Sequence, residues 1–378
     1  MEKITAVILS AGKSSRMRCG FKPLLPLGNR TVLAHVIQSY RDAGIEDICV
    51  VTGHRGEALK PVIKDFHVCA VENPEYEQGM FSSVQAGLQA LDAGIRGVFV
   101  HPVDIPLVRP ATLKKMGAVF HNNSNRILMP VYQDRCGHPP LIAGGFIRLI
   151  LAWTGENGLQ GALSQLQNKM TTVETADEGI LSDMDRDEDY RRIVKRFWGL
   201  DIPTQEECRE VMDRIAVASQ KVRKHGQAVC RMALLLSEAL NRHGCSLNTD
   251  LVAASALLHD VARGQPNHAR IGAELLRQMG FYRPADIVAL HMDFSKKIAE
   301  EVDEAAVVFL ADKLICDDRP VDPDRRFKAK IQRYAHDSQA ITAIRSRQTQ
   351  TMNIKQAVEN IINMPLEKWI AVRYEPCR

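Results

Sequence analysis

The hydrophobic pattern of this chain changes period near its middle, and that change limits the fold more than any other feature. Up to about residue 195, short apolar runs alternate with segments of helical spacing. Ile4–Leu9, Ile48–Thr52, Val68–Val71 and Gly97–Val103 are runs of strand length. Val32–Ala43, Glu57–Lys64 and Ser82–Leu91 lie between them and read as helices. Short buried runs separated by helices predict a mostly parallel sheet covered on both faces. From Thr204 onward the spacing is helical almost throughout. Val229, Met232, Ala233, Leu236, Ala239 and Leu240 recur at helical period, as do Ile271, Leu275, Leu276 and Met279. Gly199 and Pro203 punctuate the chain between the two regimes, and Thr204 with Glu207 has the spacing of a capping box. The expectation is an α/β domain over residues 1–198, a linker over 199–204 and an all-α domain over 205–378.

A length of 378 residues suits two ordinary domains. The net charge of +4 is too mild to argue for nucleic acid. The basic cluster Arg319, Arg325, Arg326, Lys328, Lys330 and Arg333 is interrupted by Asp317, Asp318, Asp322 and Asp324, which reads as a solvated helix face. Nine scattered cysteines without a Cys-x-x-Cys pair fit reduced thiols in a cytoplasm. The apolar run after Glu2 and Lys3 is short and meets Gly12 at once, so a first strand is expected rather than a signal peptide. No apolar stretch is long enough to cross a membrane.

The segment after the first run carries chemistry. Gly12 allows close approach of the main chain to a ligand, and Ser14 and Ser15 offer hydroxyl donors. Arg16 and Lys22 can neutralise a triphosphate, the first as a planar fork and the second as a point charge. The pattern fits neither a Walker loop nor a dinucleotide fingerprint, and by itself it also suits an ordinary strand–helix turn.

Taken with the rest of the half, it resembles the MobA-like nucleotidyltransferases, and among them the molybdenum cofactor cytidylyltransferases. The resemblance rests on Leu9, Ala11, Gly12, Ser14, Arg16, Met17 and Lys22–Leu27, then Val51–Gly53, Asn73-Pro74 and Gly79–Val84. It continues through Pro102–Val108, Gly137-His138-Pro139 and Asp183-Met184-Asp185. It implies a Rossmann-like sheet in which the loop around Leu9, Ala11, Gly12, Ser14, Ser15, Arg16 and Lys22 holds a nucleoside triphosphate. It implies that Asp104 ligates Mg2+, with Asp185 as the second acidic ligand. It places Ser82 and Ser83 at the nucleotide or its neighbouring loop, and Gly137, His138 and Pro139 at the acceptor phosphate. There are departures. Ser10 stands where Ala or Gly is usual, Arg18–Phe21 replaces a Gly-led spacer, and no Thr-Pro follows Asp185, which leaves Asp183 and Asp187 as alternatives. A solvated acidic turn is the competing reading of that run.

In the second half, His225, His259-Asp260, His268, His291 and Asp312 all fall on expected helices, on the side facing the core. One such histidine is ordinarily a satisfied core residue. Burying six such groups without a shared partner would be costly, and a metal supplies that partner. Imidazole with carboxylate suits Mn, Fe, Co or Ni. The ordered set His225, His259-Asp260, Asp312, with Ala311–Leu314, resembles the HD superfamily of metal-dependent phosphohydrolases over roughly residues 205–330. The resemblance implies one or two divalent transition metals, with His268 and His291 completing the second position. The glycine common after His-Asp is replaced by Val261-Ala262-Arg263. Lys313 reads equally as a phosphate holder or a surface residue.

The two resemblances imply a bifunctional cytoplasmic enzyme. One half would transfer a nucleotidyl group from CTP, favoured over GTP by Ala11-Gly12, to a molybdopterin acceptor. The other would hydrolyse a phosphate ester. Lys22, Arg16 and Asp104 would be catalytic in the first half, and His259 and Asp260 in the second. The competing reading is a nucleotidyltransferase for a sugar or alcohol phosphate, with a regulatory nucleotide-binding HD module. Residues 330–378 are expected to be helical, with Ile354, Ala357, Val358, Ile361 and Ile362 on one face.

Overall fold

A computed structural model describes residues 4–122, 125–294 and 302–374. It separates into two compact units, residues 1–200 and 201–378. In chain order the first holds β1 (Ile4–Leu9), β2 (Pro26–Leu27), β3 (Arg30–Thr31), α1 (Val32–Asp42), β4 (Asp47–Thr52), α2 (Lys60–Asp65) and β5 (Cys69–Glu72). Then come α3 (Met80–Gln89), β6 (Gly97–Pro102), α4 (Pro110–Asn122), β7 (Ile127–Tyr132), β8 (Arg135–Cys136) and β9 (Leu141–Ala143). The unit ends with α5 (Ile147–Leu151), α6 (Gly158–Ser164), β10 (Met170–Glu174) and α7 (Asp187–Phe197).

The main sheet runs β10-β7-β9-β6-β1-β4-β5, with β8 paired to β7. β1 lies parallel between β4 and β6, with Val7 opposite both Cys49 and Val100. Its residues Ala6, Val7 and Ile8 are fully buried, as expected of a strand covered on both faces. β9 runs antiparallel between β6 and β7. The connection crosses from the β4–β5 side of β1 to the β6 side, and in open α/β sheets the ligand crevice lies beyond the strand ends at such a reversal. The loops after Leu9 and Pro102 meet there, and the Val103 amide donates to the Leu9 carbonyl at 3.1 Å.

His101, near the end of β6, is buried. Its Nε2 donates to the Ile105 carbonyl at 2.9 Å, and Nδ1 accepts from the Tyr40 hydroxyl at 2.9 Å, which holds the turn carrying Asp104. Burial lowers its imidazole from 6.5 to about 4. The unfolded chain takes up a proton near pH 6.5 that the folded chain refuses until about pH 4. The stability present above pH 6.5 is therefore lost as pH falls towards 4, by about 3 kcal/mol for this group. Urea unfolding of the His101→Gln variant should lose part of the parent's decline between pH 6.5 and 4.5. An unchanged pH slope would show that His101 does not set it.

The second unit is helical: α8 (Gln205–Glu210), α9 (Gln220–Arg242), α10 (Thr249–Leu258), α11 (His268–Gln278), α12 (Tyr282–Leu290) and α13 (Glu304–Leu314). A two-strand turn, β11 (Ile315–Cys316) with β12 (Arg319–Pro320), leads to α14 (Pro323–Arg333), α15 (Ser338–Ile362) and α16 (Leu366–Arg373). α8 opens with the reciprocal capping box of Thr204 and Glu207. α10 is apolar almost all round and nearly wholly buried. α15 buries Ile344, Thr351, Ile354, Val358 and Ile362, a stripe at helical period. Arg325, Lys328 and Arg333 of α14 are solvated, whereas Arg326 turns inward onto the carbonyls of Asp312, Lys313 and Ile315. No helix among the described residues is long and apolar enough to cross a membrane.

Candidate functional sites

The first site is a cavity of about 310 Å³ beyond β1 and β6. Leu9, Ser10, Ala11, Gly12, Lys13, Ser14, Ser15, Arg16 and Lys22 line it, with Tyr76, Gly79, Met80, Ser83, Val103 and Asp104. A Cβ at Gly12 would meet no protein atom within 4 Å, so the protein's own packing does not demand glycine there. Ser14 sits in the left-handed region at φ 54°, uncommon for a residue with a side chain. Its Oγ accepts from the Lys22 amide at 3.1 Å, which fixes the start of the turn that presents Lys22.

Lys22 reaches the centre of the site. Its Nζ lies 3.0 Å from Asp104 Oδ2 and 3.1 Å from Asp185 Oδ1. Arg16 grips both oxygens of Asp185 at 2.7 and 2.8 Å. The acidic run is divided by these contacts. Asp185 joins Asp104 and the two cations, Asp187 accepts from the Arg18 and Cys19 amides, and Asp183 is exposed. The Met184 amide donates to the Asp104 carbonyl at 2.8 Å, which ties the run to the end of β6. Ser83 lines the cavity. Ser82 does not line it: its hydroxyl donates to the Glu75 and Gly79 carbonyls and accepts from Asn73, so it staples the loop before α3.

A second cavity of about 780 Å³ adjoins the first and shares Leu9, Met80 and Pro102 with it. Gly137 and His138 line it, together with Asn157, Gln160, Ser164 and Gln167; its described lining carries no Lys, Arg, Asp or Glu. Pro139 follows a cis bond and does not line it; Pro140 does. The Gly137 amide donates to Pro130 and the His138 amide to Ile180, each at 2.9 Å. A Cβ at Gly137 would stand 2.5 Å from the Ile180 oxygen, so only glycine allows this approach. Burial lowers the His138 imidazole, with the Asp104 and Asp183 carboxylates opposing that shift. The polar lining from α6 was not singled out in the sequence, where amides on a short helix carry no distinctive signal.

The third site gathers six groups from five helices. His225 lies on α9, His259 and Asp260 follow α10, His268 opens α11, His291 follows α12 and Asp312 lies in the last turn of α13. Three imidazoles are fixed in one sense: Nδ1 of His225, His259 and His291 donates to the carbonyls of Asp317, Ala256 and Val288 at 2.7–2.8 Å. That turns each Nε2 towards the centre of the site, where His225 Nε2 pairs with Asp312 Oδ1 and His291 Nε2 with His268 Nε2, each at 3.2 Å; in the neutral ring this is the nitrogen that ligates a metal. These Nε2 atoms converge on the carboxylates. His225 is 3.2 Å and His259 3.7 Å from Asp312 Oδ1. His259 is 3.5 Å from Asp260 Oδ2, and His268 and His291 are 3.2 and 3.6 Å from Asp260 Oδ1. Asp260 thus turns one oxygen to each of two potential ligand triads, His225–His259–Asp260 and Asp260–His268–His291.

His259 Nε2 and Asp260 Oδ1 are buried without a hydrogen-bond partner among the described residues. Leaving such atoms unpaired is costly, and a divalent metal bound by imidazole and carboxylate satisfies both. The donor set fits such an ion. Burial lowers the His259 imidazole to about 4. Burial would raise the Asp260 carboxyl, but the neighbouring His268 and His291 imidazoles hold it well below the carboxylate range. Burial likewise opposes ionisation of Asp312, and Lys313 foremost overcomes it. Deprotonated carboxylates and a neutral imidazole are the ligating forms.

Lys313 is not a surface residue. It is buried, and its Nζ donates to Asp312 Oδ2 and to the His291 carbonyl at 2.9 Å. Adjacent residues on a helix rarely share a target, so its sequence position gave no hint of this. A cavity of about 410 Å³ opens onto His225 and Asp260 and is rimmed by Lys221, Arg263 and Arg326. Arg263, three residues after Asp260, donates to its Oδ2 at 2.7 Å.

Residues 6–170 match the MobA-like NTP transferase domain, and residues 224–316 match the HD domain. Over 114 residues the chain is 39% identical to the bifunctional protein GlmU of Halorhodospira halophila, covering 30% of this chain and 24% of that protein. Over 182 residues it is 34% identical to GlmU of Geotalea uraniireducens, covering 46% and 39%. The chain therefore spans well under half the length of these relatives. A nucleotidyl transferase of Methanothermobacter thermautotroptrophicus superposes with a TM-score of 0.45 at 24% identity, over 52% of this chain and 98% of that one. The chain is thus a fusion of a MobA-like NTP transferase domain with an HD domain.

Proposed function

We propose that residues 1–198 transfer a nucleotidyl group from CTP, or less readily GTP, to the phosphate of a molybdopterin-type acceptor. The convergence of Asp104, Asp185, Lys22 and Arg16 beside a second, uncharged cavity carries this reading. An acceptor phosphate oxygen attacks the α-phosphorus, the bond to the β-phosphate oxygen breaks, and pyrophosphate leaves. Bound at Asp104 and Asp185, Mg2+ would neutralise charge on the phosphates. Lys22 and Arg16 neutralise the leaving pyrophosphate, and the backbone from Ala11 to Ser15 holds the triphosphate. His138 and Gly137 orient the acceptor. Ala11-Gly12, where the guanylyl branch has Gly-Gly, supports CTP. Incubation with molybdopterin and each nucleoside triphosphate, followed by pyrophosphate measurement, tests the reading. Pyrophosphate released with CTP is expected; none with any triphosphate rejects it. The neutral, amide-lined second cavity also suits a sugar or alcohol phosphate, and those acceptors belong in the same assay.

For residues 205–378 we propose hydrolysis of a phosphate ester at a metal centre, with residues 199–204 as linker. The support is the common orientation of three imidazole Nε2 atoms around Asp260. One or two ions such as Mn, Fe, Co or Ni would activate water there. Lys221 and Arg263 rim the cavity where phosphate oxygens would lie. The complete ligand set speaks against a purely regulatory nucleotide-binding role. In this division residues 1–198 alone should release pyrophosphate at a rate within about threefold of the full chain; a soluble but inactive fragment would show that the chemistry needs both halves.

A further inference from the structure

Lys22 stands where a cation would be held. Its ammonium lies between Asp104 and Asp185, 3.0 and 3.1 Å from their oxygens, and is largely shielded from water. Arg16 covers both oxygens of Asp185. Two carboxylates and two cations therefore balance one another with no charge left over. We infer that Lys22 is a built-in placeholder that keeps Mg2+ off the two carboxylates until a nucleoside triphosphate draws the lysine away. This rests on the reading of Asp104 and Asp185 as the metal-holding pair.

The physical ground is charge balance in a confined space. A divalent ion added alone would share two carboxylates with an ammonium about 3 Å away, at a cost of close like-charge repulsion. A triphosphate added alone would attract Lys22 and Arg16 but would face both carboxylates. Added together, the two ligands divide the four groups: the carboxylates are left to the metal, and Lys22 and Arg16 turn to phosphate oxygens. Neither ligand is well accommodated without the other, and the coupling must be reciprocal. Lys22 is suited to the exchange. Its amide is anchored by Ser14 Oγ, so its flexible four-carbon stem can swing while its backbone stays fixed. Arg16 is more exposed than Lys22 and can follow.

The test uses Mn2+ alone, with no nucleotide and no acceptor, on the full chain. Free Mn2+ is followed by electron paramagnetic resonance for the parent, Lys22→Met, Lys22→Arg and the double variant Lys22→Met with Asp104→Asn. The HD site is the same in all four, so differences report the N-terminal carboxylates. Lys22→Met should bind one more Mn2+ per chain, at least about tenfold more tightly than the parent. The double variant should lose that ion, and Lys22→Arg, which keeps the charge, should match the parent. A purely structural lysine would have the opposite effect, because its loss would loosen the site. A parent that binds the extra Mn2+ as tightly as Lys22→Met, with the double variant losing it, would overturn the placeholder and leave the metal-holding role of Asp104 standing. Absence of an extra ion in every variant would overturn both.

Discussion

Asp104→Ala should lower nucleotidyl transfer by about 10²–10³-fold while the chain still folds. Charge stabilisation at the transferring phosphoryl group is usually the largest part of such catalysis, and losing one fixed stabilising group commonly costs 10²–10³-fold. Asp104 is the carboxylate nearest the end of β6, and its oxygen touches Lys22. Its side chain is about one-quarter exposed, and removing it opens no cavity in the apolar core. Lys22 would keep Asp185 as a partner. The effect should therefore fall on the maximal rate of pyrophosphate release, with the urea midpoint little changed. Pyrophosphate release at the parental rate would remove Asp104 from the mechanism. A large loss of stability would instead mark it as a structural residue.

The second large effect is expected at the other site. His259→Ala combined with Asp260→Ala should abolish metal binding and phosphate-ester hydrolysis together. Asp260 belongs to both ligand triads, so its loss disables both. Metal binding should also show in stability. At a free ion concentration about a hundred times the dissociation constant, an ion bound only by the folded state adds about 2.7 kcal/mol. For a unit of this size that raises Tm by roughly 5 to 10 °C. The parent should gain this with Mn, Fe, Co or Ni and lose it to a chelator, and the double variant should respond to neither. A parent that purifies without metal and whose Tm ignores all four ions would refute the metal centre.

Much of this was legible in the sequence, for definable reasons. β1 and β6 are buried on both faces and read as mostly apolar runs, which placed the loops after Leu9 and Val103 at the ligand edge. His225 and His268 were legible from helical period, whereas His259, Asp260 and His291 lie just past the ends of α10 and α12 and were legible from their order in the chain. The roles within Asp183–Asp187 were not, because contacts with residues more than 160 positions away divide them: Arg16 and Lys22 take Asp185, and the Arg18 and Cys19 amides take Asp187. Ser82 and Ser83 both accept from Asn73, yet only Ser83 lines the cavity, and a motif that names both does not separate them. β9 has three residues, too few to show a period, and its antiparallel course between β6 and β7 emerges only from pairing. The burial of Lys313 was not legible, because its partners, Asp312 beside it and the His291 carbonyl, become one target only when α12 and α13 are folded.

If one chain carries two separate phosphate chemistries, each with its own carboxylates, single-site changes should separate them. The most direct measurement assays pyrophosphate release from CTP and molybdopterin, and manganese-supported hydrolysis of nucleotides and dinucleotide polyphosphates, side by side in Asp104→Ala and in His259→Ala/Asp260→Ala. A double dissociation is expected: the first variant loses only pyrophosphate release, and the second loses only hydrolysis. Loss of both activities in either variant, or of neither, would contradict it.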